Sequence, residues 1–239
     1  MTESITNIEK LHTTPNGIQR IKRNLNLSDG EDVVLLCKDI VRKTNSIIRQ
    51  GKNYYVYQSD IVVTINAHSY TIITAHKTKI KIRTMKESDF TYLPEFLYQA
   101  IFIPEGVEPP ERSIIYEPEI FIYIKDFGTQ EGDLGVVAEI NGQVVGAAWT
   151  RIIPAYGHVD DNTPELAISV MPGFRALGIG TKLLEKLFEL LQKNGYSQTS
   201  LSVQKDNPAV RLYKRLGYEI IGERTDHAGN EDYLMRTTL

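Results

Sequence analysis

The chain has 239 residues, of which 41% are hydrophobic and 24% charged, enough for one large or two small domains with a core. Its net charge of −3 is uneven: residues 1–77 hold ten Lys/Arg against seven Asp/Glu, and the remainder holds 17 against 23. The acidic remainder argues against a nucleic-acid platform there, while the weakly basic first part stays undecided. No apolar run reaches the ~18 residues of a membrane span, and MTESITNIEK lacks the basic-then-apolar order of a signal peptide, so the expected location is cytoplasmic and away from membranes.

Between residues 10 and 50 the apolar positions fall at helical spacing: Ile18, Ile21 and Leu25, then Val33, Val34, Cys37, Ile40 and Val41, with Ser28-Asp29-Gly30 between them. That pattern predicts two helices and a turn. Cys37 is the single cysteine, which excludes an internal disulfide and a thiolate zinc cluster; within VVLLC it reads as a buried, inert thiol. From Tyr54 the segments YYVYQ, DIVVTIN and SYTIITAHK are β-branched and aromatic, and predict a three-stranded meander. A small α+β domain then spans residues 1–77, and a second domain spans residues 78–239.

In KTKIKIRTMKESDF the alternation of IKIRTM predicts the first strand of a new sheet. Ser88 is the expected cap of a following helix whose apolar face is Leu93, Phe96, Leu97 and Ala100. Residues 103–132 carry Pro104, Pro109, Pro110, Pro118 and several aromatics, the composition of a shaped loop and short helix over a pocket. DLGVVAEINGQVVGAAWTRII sets Asn141-Gly142 between alternating runs, a hairpin signal. ELAISV then reads as a strand, GIGTKLLEKLFELLQKNG as a helix and SLSVQ as a strand. NPAVRLYKRLG reads as a short helix, followed by a final strand pair, YEIIGER and DYLMRTTL.

Gly178 and Gly180 stand at the mouth of a helical run, where glycine costs up to about 1 kcal/mol relative to alanine. A P-loop does not explain them, because Ile179-Gly180 occupies its Lys-Ser/Thr positions. A dinucleotide fingerprint fails too, since Leu183 stands where its third glycine belongs. What remains is Arg175-x-x-Gly178-x-Gly180 between a strand and an amphipathic helix. There, backbone N–H groups can approach a diphosphate at the helix N-terminus. The plain alternative is a tightly packed strand-to-helix turn.

Residues 79–239 resemble the GNAT superfamily of N-acetyltransferases, whose R/Q-x-x-G-x-G/A turn holds the pyrophosphate of acetyl-coenzyme A. The match includes the strand ELAISV, Pro172, the glycine helix and a second motif, Asn207-x-Ala209-x-x-Leu212-Tyr213-x-x-x-Gly217-Tyr218. Residues 1–77 fall outside it and are similar to an uncharacterised small bacterial domain family. The resemblance implies an α+β fold with a mixed, mostly antiparallel central sheet flanked by helices, beside the N-terminal domain of two helices and a β-meander. It implies acetyl-CoA as co-substrate and a small-molecule, peptide or protein amine as acceptor, and it admits a homodimer. By carry-over, Ile168, Ser169 and Val170 contact the pantetheine arm between the diverging strands ELAISV and SLSVQ, joined by Asn207. Arg175, Ala176, Leu177, Gly178, Ile179, Gly180 and Thr181 hold the pyrophosphate.

Acetyl transfer to an amine poses two proton problems: an alkylammonium with a pKa near ~10.4 must lose a proton, and the departing thiolate gains one. The resemblance places Tyr213 as general acid, also within reach of the cofactor; its plain reading is an amphipathic tyrosine at a core edge. The base stays open among Glu165, Glu139, His158, Asp160 and a chain of waters. Strand parity sets Glu165 opposite Leu166, on a face that is either active site or solvent. His12, His68, His76, His158 and His227 show no metal-ligand spacing, so no metal is expected. The residues 103–118, 153–164 and those near His227 are expected to line the acceptor site. The rival readings are an acyl-CoA sensor without catalysis and a scaffold for an RNA- or protein-binding N-terminal domain.

Overall fold

The computed structural model describes residues 5–44, 46–225 and 229–239, so the segment at His227 lies outside the described residues. It divides into two compact units. Of the described residues, the first holds those within 5–80, 140–143 and 172–179, and the second holds those within 81–139, 144–171 and 180–239.

In the first unit, helix α1 (Pro15–Leu25) begins where Thr14 accepts a hydrogen bond from the Gly17 N–H and Pro15 supplies a preset φ. Helix α2 (Val33–Lys43) begins at Asp32, whose carboxylate takes the N–H groups of Val34 and Leu35 at 2.9 and 3.1 Å. Four antiparallel strands follow in order, β1 (Ser46–Gln50), β2 (Asn53–Gln58), β3 (Ile61–Asn66) and β4 (Ile72–Lys77). The meander therefore has one strand more than the sequence pattern predicts. Ser46-Ile47-Ile48-Arg49-Gln50 is a strand, because pairing Ile47 with Val56 and Ile48 with Tyr55 satisfies backbone that helical spacing would leave on the flank of α2. Ile21, Cys37, Val56, Val63, Ile65 and Ile72 fill the core. Burial pushes the Cys37 thiol up to about 12, the inert state expected of it. The segment Pro172–Ile179 packs within this unit, with Phe174 tilted on Tyr57 at 5.1 Å between ring centroids.

Among the described residues, the larger sheet runs β10-β11-β9-β8-β7-β6-β5. Its strands are β5 (Ile80–Thr84), β6 (Leu134–Ile140), β7 (Gln143–Arg151), β8 (Glu165–Val170), β9 (Gln198–Gln204), β10 (Glu219–Thr225) and β11 (Glu231–Thr238). Helices α3 (Leu93–Ala100), α4 (Pro118–Phe121), α5 (Ile179–Lys193) and α6 (Val210–Arg215) accompany it. The β6–β7 hairpin turns on Asn141 and Gly142, both at positive φ, as their sequence predicts. Ser88 does not cap α3. It lies inside a 3-10 turn, Glu87–Tyr92, whose entry is closed by Asp89 accepting the Lys86 N–H at 2.7 Å, and Pro94 lets α3 restart from Leu93. Leu93, Phe96 and Leu97 of α3 pack with Val137, Ala147 and Trp149, and α5 buries Leu183, Leu184, Leu187 and Leu191. No described helix is long and apolar enough to cross a membrane.

Candidate active site

Strand β8 is paired along its whole length with β7, from Arg151↔Glu165 to Gly146↔Val170. Its other neighbour is β9, running parallel, and the ladder between them is one pair long, Glu165↔Ser200. Ala167 packs on the cluster that holds Trp149 and Phe96, and the Ser169 hydroxyl donates to the Phe96 carbonyl at 2.6 Å. Ala167 and Ser169 therefore face α3, and Glu165, on the same side of the strand, is buried and not in solvent. Ile168 and Val170 are half-buried on the strand's other face.

After β8 the chain turns through residues 171–178 into α5. Ala176 and Gly178 take positive φ, +61° and +74°, and the Arg175 N–H reaches the Pro172 carbonyl at 3.4 Å. A β-carbon at Gly178 would meet nothing within 4 Å, so this glycine answers to backbone conformation. Gly180 answers to packing: a β-carbon there would stand 3.1 Å from Leu212 Cδ2 on α6. Each glycine thus has a local reason of its own. Leu177 is half-buried, Ile179 is buried, and the Thr181 hydroxyl accepts from Arg215 at 3.3 Å.

Tyr213 is buried on α6 with its ring edge-on to Tyr218, centroids 5.7 Å apart. Burial holds its phenol well above the ordinary tyrosine value, so it keeps its proton across the neutral range. Asn207 Oδ1 accepts the Ala209 N–H at 2.9 Å, and Ala209 itself is the helix N-cap. Asn207 therefore closes the turn that leads into α6 instead of capping it directly.

The candidate bases separate by environment. Glu139 is held in an ion pair with Arg83 at 2.6 Å. Asp160 is exposed and accepts the Asn162 N–H at 2.8 Å, which holds it below the usual carboxylate range. His158 sits in the loop before β8 with its carbonyl accepting from Arg224 at 3.0 Å. Glu165 differs from all three. It is 3% exposed, and its Oε1 accepts both the Tyr123 hydroxyl and the Gly157 N–H, the latter at 2.7 Å. Its Oε2 is buried with no hydrogen-bond partner among the described residues. Burial raises this carboxyl to about 7, against the opposing pull of Tyr123, Gly157 and the Arg224 charge.

Sequence reading missed Tyr123, Gly157 and the residues that support them. Its one usable signal was Arg151, a charge closing the apolar run of β7; it is 2% exposed and ion-paired with Asp133 at 2.7 Å. Among the described residues no group of three or more His, Cys, Asp and Glu is placed to hold a metal.

Comparison with known proteins locates both parts of the chain. A model for a family of unknown function, DUF3781, matches residues 5–76, and the acetyltransferase (GNAT) family model matches residues 97–218. An acetyltransferase of Pectobacterium atrosepticum is 25% identical over 146 residues, covering 59% of this chain and 89% of that one. An N-alpha-acetyltransferase of Sulfurisphaera tokodaii is 35% identical over 114 residues, 43% of this chain and 68% of that one. Among solved structures, a GNAT acetyltransferase from Streptococcus pneumoniae superposes with a TM-score of 0.51 at 21% identity, covering 67% of this chain and 99% of that one. YncA from Salmonella typhimurium, described with its cofactor acetyl-CoA, does so at 0.50 and 20%, covering 67% of this chain and 94% of that one. The family model spans half of the chain, from α3 to α6, and the solved structures share its mixed fold: the chain is an acyltransferase of the acetyltransferase (GNAT) family.

Proposed function

We propose that residues 78–239 transfer the acetyl group of acetyl-CoA to a primary amine by direct attack of the amine nitrogen on the thioester carbonyl. The observation that carries this reading is the ladder of β8 and β9, a single pair, Glu165↔Ser200, at the start of β8, so that the two strands part over the rest of β8 before it leads on to a turn built on positive φ. Two parallel strands that part in this way leave room for an extended ligand, and the turn presents main-chain N–H groups ahead of a 15-residue helix. A β-carbon at Gly178 would enter open space, consistent with a cradle for a diphosphate there.

In this reading Ile168, Ser169, Val170 and Asn207 contact the pantetheine arm through backbone and amide groups. Arg175, Ala176, Leu177, Gly178, Ile179, Gly180 and Thr181 hold the pyrophosphate, mainly through backbone N–H groups. Glu165 takes the proton that the amine must lose, and Tyr213 gives a proton to the departing sulfur. Starting from the neutral amine, one proton passes from nitrogen to the carboxylate as the C–N bond forms and one passes from the phenol to sulfur as the C–S bond breaks. The phenolate then regains a proton and the carboxyl gives one up through solvent, which restores both groups. A carboxyl raised to about 7 and a phenol held in its protonated form suit those opposite tasks.

The test is thiol release from acetyl-CoA against a panel of small amines and peptides, with calorimetry of CoA binding alongside. Turnover is expected with at least one acceptor. Tyr213→Phe and Glu165→Gln should each lower kcat by about 10²-fold or more while leaving CoA affinity within a few-fold. CoA binding without turnover on any acceptor favours a sensor, and full turnover in either variant removes that residue from the chemistry.

A further inference from the structure

We propose that Tyr123 is a positioning residue for this transfer, holding Glu165 Oε1 so that Oε2 is the oxygen turned to the acceptor amine; the proposal rests on Glu165 as base.

Tyr123 sits just after α4, in a part of the chain with little regular structure. Side chains from β7 nevertheless pin this part from beneath. Arg151 donates to the carbonyls of Ile122 and Lys125 at 2.8 and 2.6 Å, and Trp149 Nε1 donates to the carbonyl of Tyr123 itself at 3.0 Å. Trp149 is fully buried, and the charge of Arg151 is balanced by Asp133, 1% exposed. Burying a guanidinium costs several kcal/mol unless its donors are satisfied, and here its bonds go to Asp133 and to two carbonyls flanking Tyr123. Trp149 and Arg151 share one face of β7 and stand opposite Ala167 and Glu165 in the β7–β8 register. One strand therefore fixes both the carboxylate's neighbours and the tyrosine that reaches it.

The Tyr123 hydroxyl and the Gly157 N–H converge on a single oxygen, which locks the carboxyl's rotation and uses Oε1 as acceptor twice. The same bonds stabilise the ionised form. Burial and the neighbouring carboxylate hold the Tyr123 phenol well above its ordinary value, so it donates and does not ionise. Charged and titratable groups also bear on Glu165 from other elements. Arg151 lies in register on β7, Tyr156 on the preceding loop contacts Tyr123, and Arg224 on β10 contributes positive charge.

The experiment is carboxyl ¹³C NMR of protein labelled at glutamate Cδ, with the Glu165 resonance identified by its loss in Glu165→Gln. Tyr123→Phe keeps the ring and its packing and removes one donor. The Glu165 midpoint should rise by about one pH unit, the consequence of losing a hydrogen bond to a charged group. The share of ionised carboxylate at pH 7 then falls roughly fivefold, and the acidic limb of the kcat profile moves up with it. Tyr156→Phe, whose hydroxyl bonds Glu119 at 3.0 Å, should leave the midpoint within a few tenths of a unit. An unmoved or lowered midpoint in Tyr123→Phe overturns the proposal. Full turnover in Glu165→Gln instead overturns the assignment of the base, a result the NMR midpoint does not mimic.

Discussion

Gly157 and Glu165 meet at the start of β8 so closely that a single β-carbon would not fit: one built on Gly157 stands 2.7 Å from Glu165 Oε1 and 2.8 Å from the Ser202 backbone nitrogen on β9. The Gly157 N–H meanwhile donates to the same carboxylate oxygen at 2.7 Å. Bare backbone is thus what lets the loop 152–164 reach the point where β8 and β9 part. Gly157→Ala is expected to cost about 1–3 kcal/mol, since the backbone of β9 cannot yield as a flexible side chain would. Urea unfolding measures it, and a loss under a few tenths would mean the loop moves freely.

Glu165 also makes stability depend on pH. Its folded-state value is raised from 4.5 to about 7, so the folded chain favours the protonated form. The resulting contribution is fully present below pH ~4.5 and is lost as pH climbs through 7, reaching a cost of about 3 kcal/mol above it. Glu165→Gln carries no such dependence. Its stability relative to the parent should improve steadily between pH 4.5 and 8 in a series of denaturant titrations. A difference that stays flat across that range is the contrary result.

The two turn glycines should respond differently to substitution. Gly178→Ala places a β-carbon in open space at a φ of +74°, and is expected to lose about 1 kcal/mol, while Gly178→Asn loses less because asparagine tolerates that conformation. Gly180→Ala presses on Leu212 Cδ2 at 3.1 Å, so Leu212→Ala in the same chain should recover part of its loss. Thermal unfolding of the four variants separates strain from crowding.

The Arg151–Asp133 pair gives a fourth test. Asp133→Ala leaves a guanidinium buried with half its partners, at an expected cost of 3–5 kcal/mol. Asp133→Leu together with Arg151→Met removes both charges and should lose clearly less than Asp133→Ala alone. Equal losses in the two would mean the pair is held for its shape and not for its charge.

The succession of elements along residues 78–239 was legible because each carries a local signal. Asn141-Gly142 turns a hairpin by its own backbone preference, and Leu183, Leu184, Leu187 and Leu191 recur at helical spacing wherever that helix is placed. The glycine turn and the Asn207–Tyr218 motif were legible for the same reason, as short runs of nearby residues. Where neighbours compete, local reading failed. Ser88 lost its capping role to Asp89, and Ser46-Ile47-Ile48 became a strand because β2 offered it a partner.

The carboxylate pocket is the opposite case. Glu165 in sequence is an acidic residue at a strand end, equally suited to solvent. Its burial, its raised pKa and the convergence of Tyr123 and Gly157 on one oxygen come from segments 42 and 8 residues away in the chain, brought together by Arg151 and the register of β7 with β8. Periodicity and turn chemistry act between near neighbours, so they specify strands, helices and the glycine corner. Desolvation and hydrogen bonding act between whatever the fold makes adjacent, so the surroundings of Glu165 became visible only in three dimensions.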